Sequence, residues 1–227
     1  MTEGRAVSRV VTFDLFSALL DSRTGGSAAF DRFAVAAGWS MTGNELYDAW
    51  DPRNKAAQRD CVSWVPWREP ASRALAQTYE SFGIDGDVTA DVDALVASMS
   101  QWPLWSDAAD GLGRLKAQHR VGLLSNVDDE MFASTAVAPF LDDELVLTSQ
   151  RLQAYKPHAA IYRRAVEALG SVVHVATSAR DVRGALEAGI AVVRLRRPGH
   201  TLDADGPRPT YEVETVHELP GALAALG

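Results

Sequence analysis

The stretch Arg9 to Asp21, RVVTFDLFSALLD, decides the fold, because it sets a carboxylate where a short apolar strand runs out. Val10, Val11 and Phe13 are β-branched or aromatic, as in a strand buried inside a parallel sheet. Asp14 follows at its carboxyl end, where ligands bind in open α/β sheets. An Asp here can also do no more than bond the turn that follows. The downstream chain separates the two readings.

LLSNVDD (123–129) is an apolar strand ending in Ser125 and Asn126. AYKPHAAIY (154–162) sets Lys156 just before a helix, and VVHVATSARDVRGALEAGI (172–190) is a strand followed by Ser178, Asp181 and an amphipathic helix. From Ser106 onward helix and strand alternate. Helices are expected at Asp107–Gln118 (opened by Ser106), Met131–Val137, His158–Leu169 (stopped by Gly170) and Arg180–Ala188, and strands at Arg120–Leu124, Glu144–Thr148, Val172–Ala176 and Ala191–Leu195. Pro198 to Thr210 reads as a loop, Tyr211–Val213 as an edge strand and Leu219–Leu226 as a closing helix. This pattern predicts an α/β, Rossmann-like parallel sheet with helices on both faces.

Between the first strand and these units the period changes. Ser22 to Gly26 reads as a turn-rich break, and from Ala28 to about Ser100 apolar residues recur at helical spacing with Gly or Pro punctuation. Four helices and no strand make an all-helical insert that interrupts the sheet domain.

At 227 residues the chain can bury one large core, or a core with a small satellite domain. The net charge of -8 argues against a nucleic-acid partner, which needs clustered Lys and Arg. Arg163, Arg164 and the run Arg194 to Arg197 read as solvated faces. There is no apolar run of about 18 residues, so no membrane span is expected, and the N-terminus lacks the pattern of a signal peptide. A single cysteine, Cys61, fits a cytoplasmic protein and reads as a packing residue. His119, His158, His174, His200 and His217 show no ligand spacing and read as structural. Gly111 and Gly113 lie inside a helical stretch, so they form no dinucleotide fingerprint, and no cofactor is expected.

Taken together and in order, the segments around Asp14, Ser125, Lys156 and Asp181 resemble the haloacid dehalogenase superfamily over residues 10 to 197. The resemblance implies a core of residues 1–17 and 101–227, with residues 18–100 as a helical cap over the active site. Most members are phosphohydrolases, with a second Asp two residues after the nucleophile and a Gly-Asp-Ser after the fourth strand. Here those positions hold Phe16 and Ala176-Thr177-Ser178, and only Asp181 survives. Two missing carboxylates make a weak magnesium cage, so no metal and no phosphate ester is expected.

The metal-free L-2-haloacid dehalogenases are the branch this pattern resembles: an aromatic residue at Phe16, Ser125-Asn126, Tyr155-Lys156-Pro157 and Tyr162. That resemblance implies attack by Asp14 on a carbon beside a carboxylate, then attack of water on the resulting ester. Lys156 would keep a buried Asp14 ionised, which burial alone would oppose. Ser125, Asn126, Phe16 and Ser178 would meet the substrate, and Asp181 would position or deprotonate the water. The chain departs from the branch at Ser17 and Ala18, where Gly-Thr is usual, and at Ala176-Thr177-Ser178, where Ser-Ser-Asn is usual. In the halide position only Arg53 is near, with Asp51 beside it.

Trp39, Trp50, Trp64 and Trp67 fall in the insert. By default they are core residues, but if some, Trp50 above all, line the pocket, their faces and Asp51 favour a cation. That suits relatives in the same branch that open azetidine-2-carboxylate. The expected partner is thus a small 2-substituted carboxylic acid, with carbon-halogen cleavage ahead of carbon-nitrogen. The alternatives are a phosphatase with a rebuilt metal site and a non-catalytic protein of the same fold. A homodimer is compatible with the resemblance.

Overall fold

The computed structural model describes residues 9–226. Strand β1 (Val10–Phe13) lies between β2 (Arg120–Ser125) and β4 (Val172–Ala176). Beyond β2 comes β3 (Val146–Thr148), and beyond β4 come β5 (Ala191–Leu195) and β6 (Tyr211–Val213), every pair parallel. The chain runs to one side of β1 for β2 and β3, then to the other for β4 to β6. The carboxyl end of β1 is therefore the switch point that opens a crevice. Phe13 stands level with Leu123 and Val175, and the Asp14 N–H donates to the Val175 carbonyl at 3.0 Å, so the ladder itself delivers Asp14 to that crevice.

Side chains alternate across the sheet, as a period of two requires. Leu123 and Val175 join one apolar cluster, while their neighbours Leu124 and Ala176 join another with Ile161, Val182 and Ala185. Buried on both faces, the central strands read as continuous apolar runs. Helices α5 (Ala108–Lys116), α6 (Asp129–Ser134), α7 (Ser149–Leu152), α8 (Ala159–Leu169), α9 (Ala179–Glu187) and α10 (Leu219–Ala225) supply the connections and the closing helix. α7 was not legible in the sequence. Four residues are too few to show a period, and its start is marked only by the Thr148 hydroxyl accepting from the Arg151 N–H.

The insert holds α1 (Ser22–Ala37), α2 (Gly43–Arg59), α3 (Arg68–Phe82) and α4 (Val88–Ser98), with α1 and α3 packed on α2, and α4 packed on α1 and α3. Ser22 to Gly26 is not a break. α1 starts at Ser22 under an Asp21 cap, and its two glycines are there for room. A Cβ on Gly25 would lie 2.4 Å from Trp102 Cγ, and one on Gly26 would lie 2.4 Å from the Tyr47 ring. Gly25→Ala should therefore destabilise the protein by about 1–3 kcal/mol in denaturant titration, although Ala is the better helix former. A stabilised variant would show that the ring is free to move aside.

Several other expectations need correction. Helix α5 is preceded by Asp107 rather than Ser106, and the Asp107 carboxylate serves the tertiary fold: it accepts from the Val216 N–H at 2.7 Å and pairs with Arg197 at 2.9 Å. Arg194 and Arg197 are thus buried, not solvated. Arg194 pairs with Glu212 at 2.7 Å, and Arg197 stands over the Trp105 ring. Cys61, read as a packing residue, is partly exposed and has a cation beside it: Arg73 Nη2 donates to its sulfur at 3.3 Å. Among the described residues no helix is long and apolar enough to cross a membrane.

Candidate active site

Asp14 is 7% exposed, and both its oxygens are engaged. Oδ1 accepts from Ser125 Oγ at 3.0 Å and Lys156 Nζ at 2.8 Å, and Oδ2 from the Ser17 N–H at 3.3 Å and Ser17 Oγ at 3.0 Å. The Lys156 ammonium has three protons and three acceptors: Asp14 Oδ1, the Leu124 carbonyl at 2.9 Å and Asp181 Oδ2 at 2.5 Å. No donor of that ammonium is left over.

Asp181 enters from the first turn of α9 and is 2% exposed. Its Oδ1 accepts from the Tyr162 hydroxyl at 2.8 Å, and its Oδ2 also meets His174 Nε2 at 3.1 Å. A carboxylate only accepts, so His174 carries its proton on Nε2, and Nδ1 faces Thr12 Oγ1 at 3.0 Å. Burial opposes ionisation of Asp14 and Asp181, yet the Lys156 ammonium outweighs it. Both carboxyls are held below the ordinary carboxylate value, Asp181 with further help from His174. Burial and Asp181 push the Tyr162 phenol well above its usual value, so it donates and stays neutral.

Asn126 positions Lys156 by gripping its main chain: Oδ1 accepts from the Lys156 N–H at 2.7 Å while Nδ2 donates to its carbonyl at 3.0 Å. The same Nδ2 donates to Gln58 Oε1 at 2.9 Å, and Arg180 Nη2 reaches that oxygen at 3.3 Å. Gln58, from α2, is 3% exposed and ties the helical insert to the sheet domain.

These groups open onto a cavity of about 680 Å³ between α1 and α2 on one side and the strand ends on the other. Phe16, Tyr47, Trp50, Trp67, Trp102 and Trp105 form its aromatic lining. Asp14, Lys156 and Asp181 come together there as expected, and Phe16, Asn126, Ser178 and Trp50 also line it. Arg53 does not: its guanidinium turns back onto the Ala49 carbonyl at 2.6 Å, one helical turn earlier. Ser125 gives its hydroxyl proton to Asp14, and Asn126 gives its amide to Lys156 and Gln58, so neither is an open donor for a substrate. Trp39 packs on Tyr79 and Trp64 lines a separate small recess, whereas Trp102 and Trp105, outside the insert, do line the cavity. Asp51 is paired with Lys55 at 2.5 Å.

His174, Gln58 and Arg180 were missed. The signal for His174 was present: a polar residue inside VVHVA, a strand otherwise made of buried aliphatics, needs a partner. Gln58 falls at i+8 from Trp50 with Asn54 between, on one face of α2.

A parallel sheet with an aspartate at its switch point, a lysine bridging it to a second aspartate, and a helical insert after the first strand define one class of hydrolase. Residues 9–189 match the model of the haloacid dehalogenase-like hydrolases, and the chain belongs to that family. The chain is 24% identical over 221 residues to an (S)-2-haloacid dehalogenase of Pseudomonas sp. strain YL, covering 92% of this chain and 91% of that protein. It is 27% identical over 162 residues to (S)-2-haloacid dehalogenase 1 of Pseudomonas sp. strain CBS-3, covering 68% and 71%. The L-2-haloacid dehalogenase of Xanthobacter autotrophicus, solved with chloropropionic acid covalently bound, superposes with a TM-score of 0.81 at 19% identity, over 97% of this chain and all of that one.

Proposed function

We propose that this hydrolase acts without a metal on a 2-haloacid, displacing halide from C2 through an ester on Asp14. The observation that carries this reading is the Lys156 ammonium, 2.8 Å from Asp14 and 2.5 Å from Asp181. It keeps Asp14 anionic, as a nucleophile must be, and holds it by one oxygen. Magnesium needs a near-octahedral set of oxygen ligands. Both carboxylates here are turned onto an ammonium, position 16 is Phe and position 177 is Thr, so these residues do not fit the ion.

In the first step an Asp14 oxygen bonds to C2 as the carbon-halogen bond breaks, and halide leaves with the electron pair. In the second, water attacks the Asp14 carbonyl carbon, the carboxylate re-forms and the 2-hydroxy acid departs. Ser178, whose hydroxyl has no partner among the described residues, and the Arg180 guanidinium supply donors on the wall for the substrate carboxylate. Residues 18–100 serve as the cap of this site, residues 1–17 and 101–227 as its core, and the enzyme works in the cytoplasm. Four indoles around the cavity also suit an ammonium beside the reacting carbon, which favours ring opening of azetidine-2-carboxylate as a second reading.

The test is a single turnover of each enantiomer of 2-bromopropionate in heavy-oxygen water, with and without chelator. Bromide release unaffected by chelator, with label in the Asp14 peptide, is the expected result. Product with no label in Asp14 would exclude the ester, and azetidine-2-carboxylate in a parallel arm decides the second reading.

A further inference from the structure

The second step needs a base, and Asp181 is poorly suited to be one. Its oxygens already accept from Lys156, His174 and Tyr162, and its carboxyl is held below the ordinary range. The other titratable groups on the cavity wall are similarly committed. Asp21 accepts from the Thr24 N–H and hydroxyl, Asp48 is forked onto Arg23, and Asp51 is paired with Lys55. Burial pushes the Tyr47 phenol far up, so it holds its proton. His200 is the exception: it lines the same cavity as Asp14, and neither ring nitrogen has a hydrogen-bond partner among the described residues.

The loop that carries it is built to hold its main chain. Arg194 donates to the His200 carbonyl at 2.7 Å while pairing with Glu212, and the His200 N–H returns to the Arg197 carbonyl at 3.3 Å. Gly199 takes φ 78°, a left-handed turn that glycine adopts without strain. The backbone is thus fixed and the imidazole is left for other work.

We infer that the His200 imidazole is the general base for hydrolysis of the Asp14 ester, an assignment that rests on the ester reading above. As the water oxygen bonds to the Asp14 carbonyl carbon, one water proton passes to His200. The tetrahedral adduct then collapses, the bond from that carbon to the substrate oxygen breaks, and the imidazolium returns its proton to the departing oxygen. The Asp14 carboxyl, left with the other water proton, ionises to solvent. Ester and water become carboxylate, 2-hydroxy acid and one released proton, and the base is regenerated. Four charged groups act on the ring: Lys55 and Asp51 from α2, Asp14 from the end of β1 and Arg194 from β5. Burial first, then Lys55, holds it below the ordinary imidazole value of 6.5, so it is neutral and able to accept at pH 7.

The experiment is rapid quench with 2-bromopropionate on wild type and His200→Gln. The variant should release one equivalent of bromide per enzyme at the wild-type rate, which also shows the site is folded. Later turnovers should slow by about 10²–10⁴-fold, the range for losing a general base, while ester accumulates on Asp14 in the intact mass. Added imidazole should restore part of the rate, and the wild-type rise of kcat with pH should flatten in the variant. Turnover at the wild-type rate with no accumulated ester would overturn the role of His200 alone, as would loss of the bromide burst in the variant only. Absence of bromide from the wild type would instead remove the ester reading on which it stands.

Discussion

On the ester mechanism proposed above, Asp14→Asn should lower turnover by on the order of 10⁴-fold or more, the loss expected when a covalent nucleophile is removed. The amide is a far weaker nucleophile, and the loss should appear in kcat rather than in KM. Four donors meet Asp14: Ser125 Oγ, Lys156 Nζ, and the Ser17 N–H and hydroxyl. An amide offers one oxygen, so one pair of these donors loses its acceptor. The fold should weaken by about 1–3 kcal/mol on that account. Kinetics read beside a thermal melt separates the two effects. A folded variant within tenfold of wild type would take Asp14 out of the chemistry.

Lys156→Met should have the larger effect on stability. It leaves Asp14 and Asp181 as two buried carboxylates with no ammonium between them, and breaking such a pair costs about 3–5 kcal/mol at neutral pH. In the wild type both carboxyls lie below the ordinary value of 3.8 in the folded state. Their stabilisation is present above that value and is lost as pH falls through the lower folded values. In the variant, burial and mutual repulsion put the folded values above the unfolded ones. The folded state then binds protons more readily, so stability falls as pH rises through the raised values. Denaturant titration should therefore find the wild-type contribution unchanged between pH 8 and pH 5 and weaker at pH 3, and the variant stronger at pH 5 than at pH 8. Parallel pH curves would mean that Lys156 is not the counter-ion. Activity should fall as well, since a protonated Asp14 is no nucleophile.

Much of this site was legible in the chain. Asp14 stood at the end of an apolar run, Lys156 followed an aromatic residue before a helix, and Asp181 opened an amphipathic one. Types and local spacing carry that information. Errors arose where a side chain's partner lay far away in sequence. Arg194 and Arg197 read as solvent-facing because nothing local showed Glu212 or Asp107 waiting for them. Gly25 and Gly26 read as a turn because the rings that need their space belong to Trp102 and Tyr47. Ser125 and Asn126 were placed at the site, but their protons go to Asp14 and to the Lys156 main chain.

The sequence by itself determined the order of the strands and of every helix but α7, the helical insert and the carboxylate at the first strand's end. Those follow from periods of two and 3.6 residues, which are properties of a few neighbouring positions. Only the tertiary structure decided that one ammonium bridges two carboxylates, that Gln58 reaches across to Asn126, and that His200 shares a cavity with Asp14. Lys156 and Asp14 are 142 positions apart, and hydrogen bonds act over about 3 Å, so which groups meet is set by how the sheet stacks its strands.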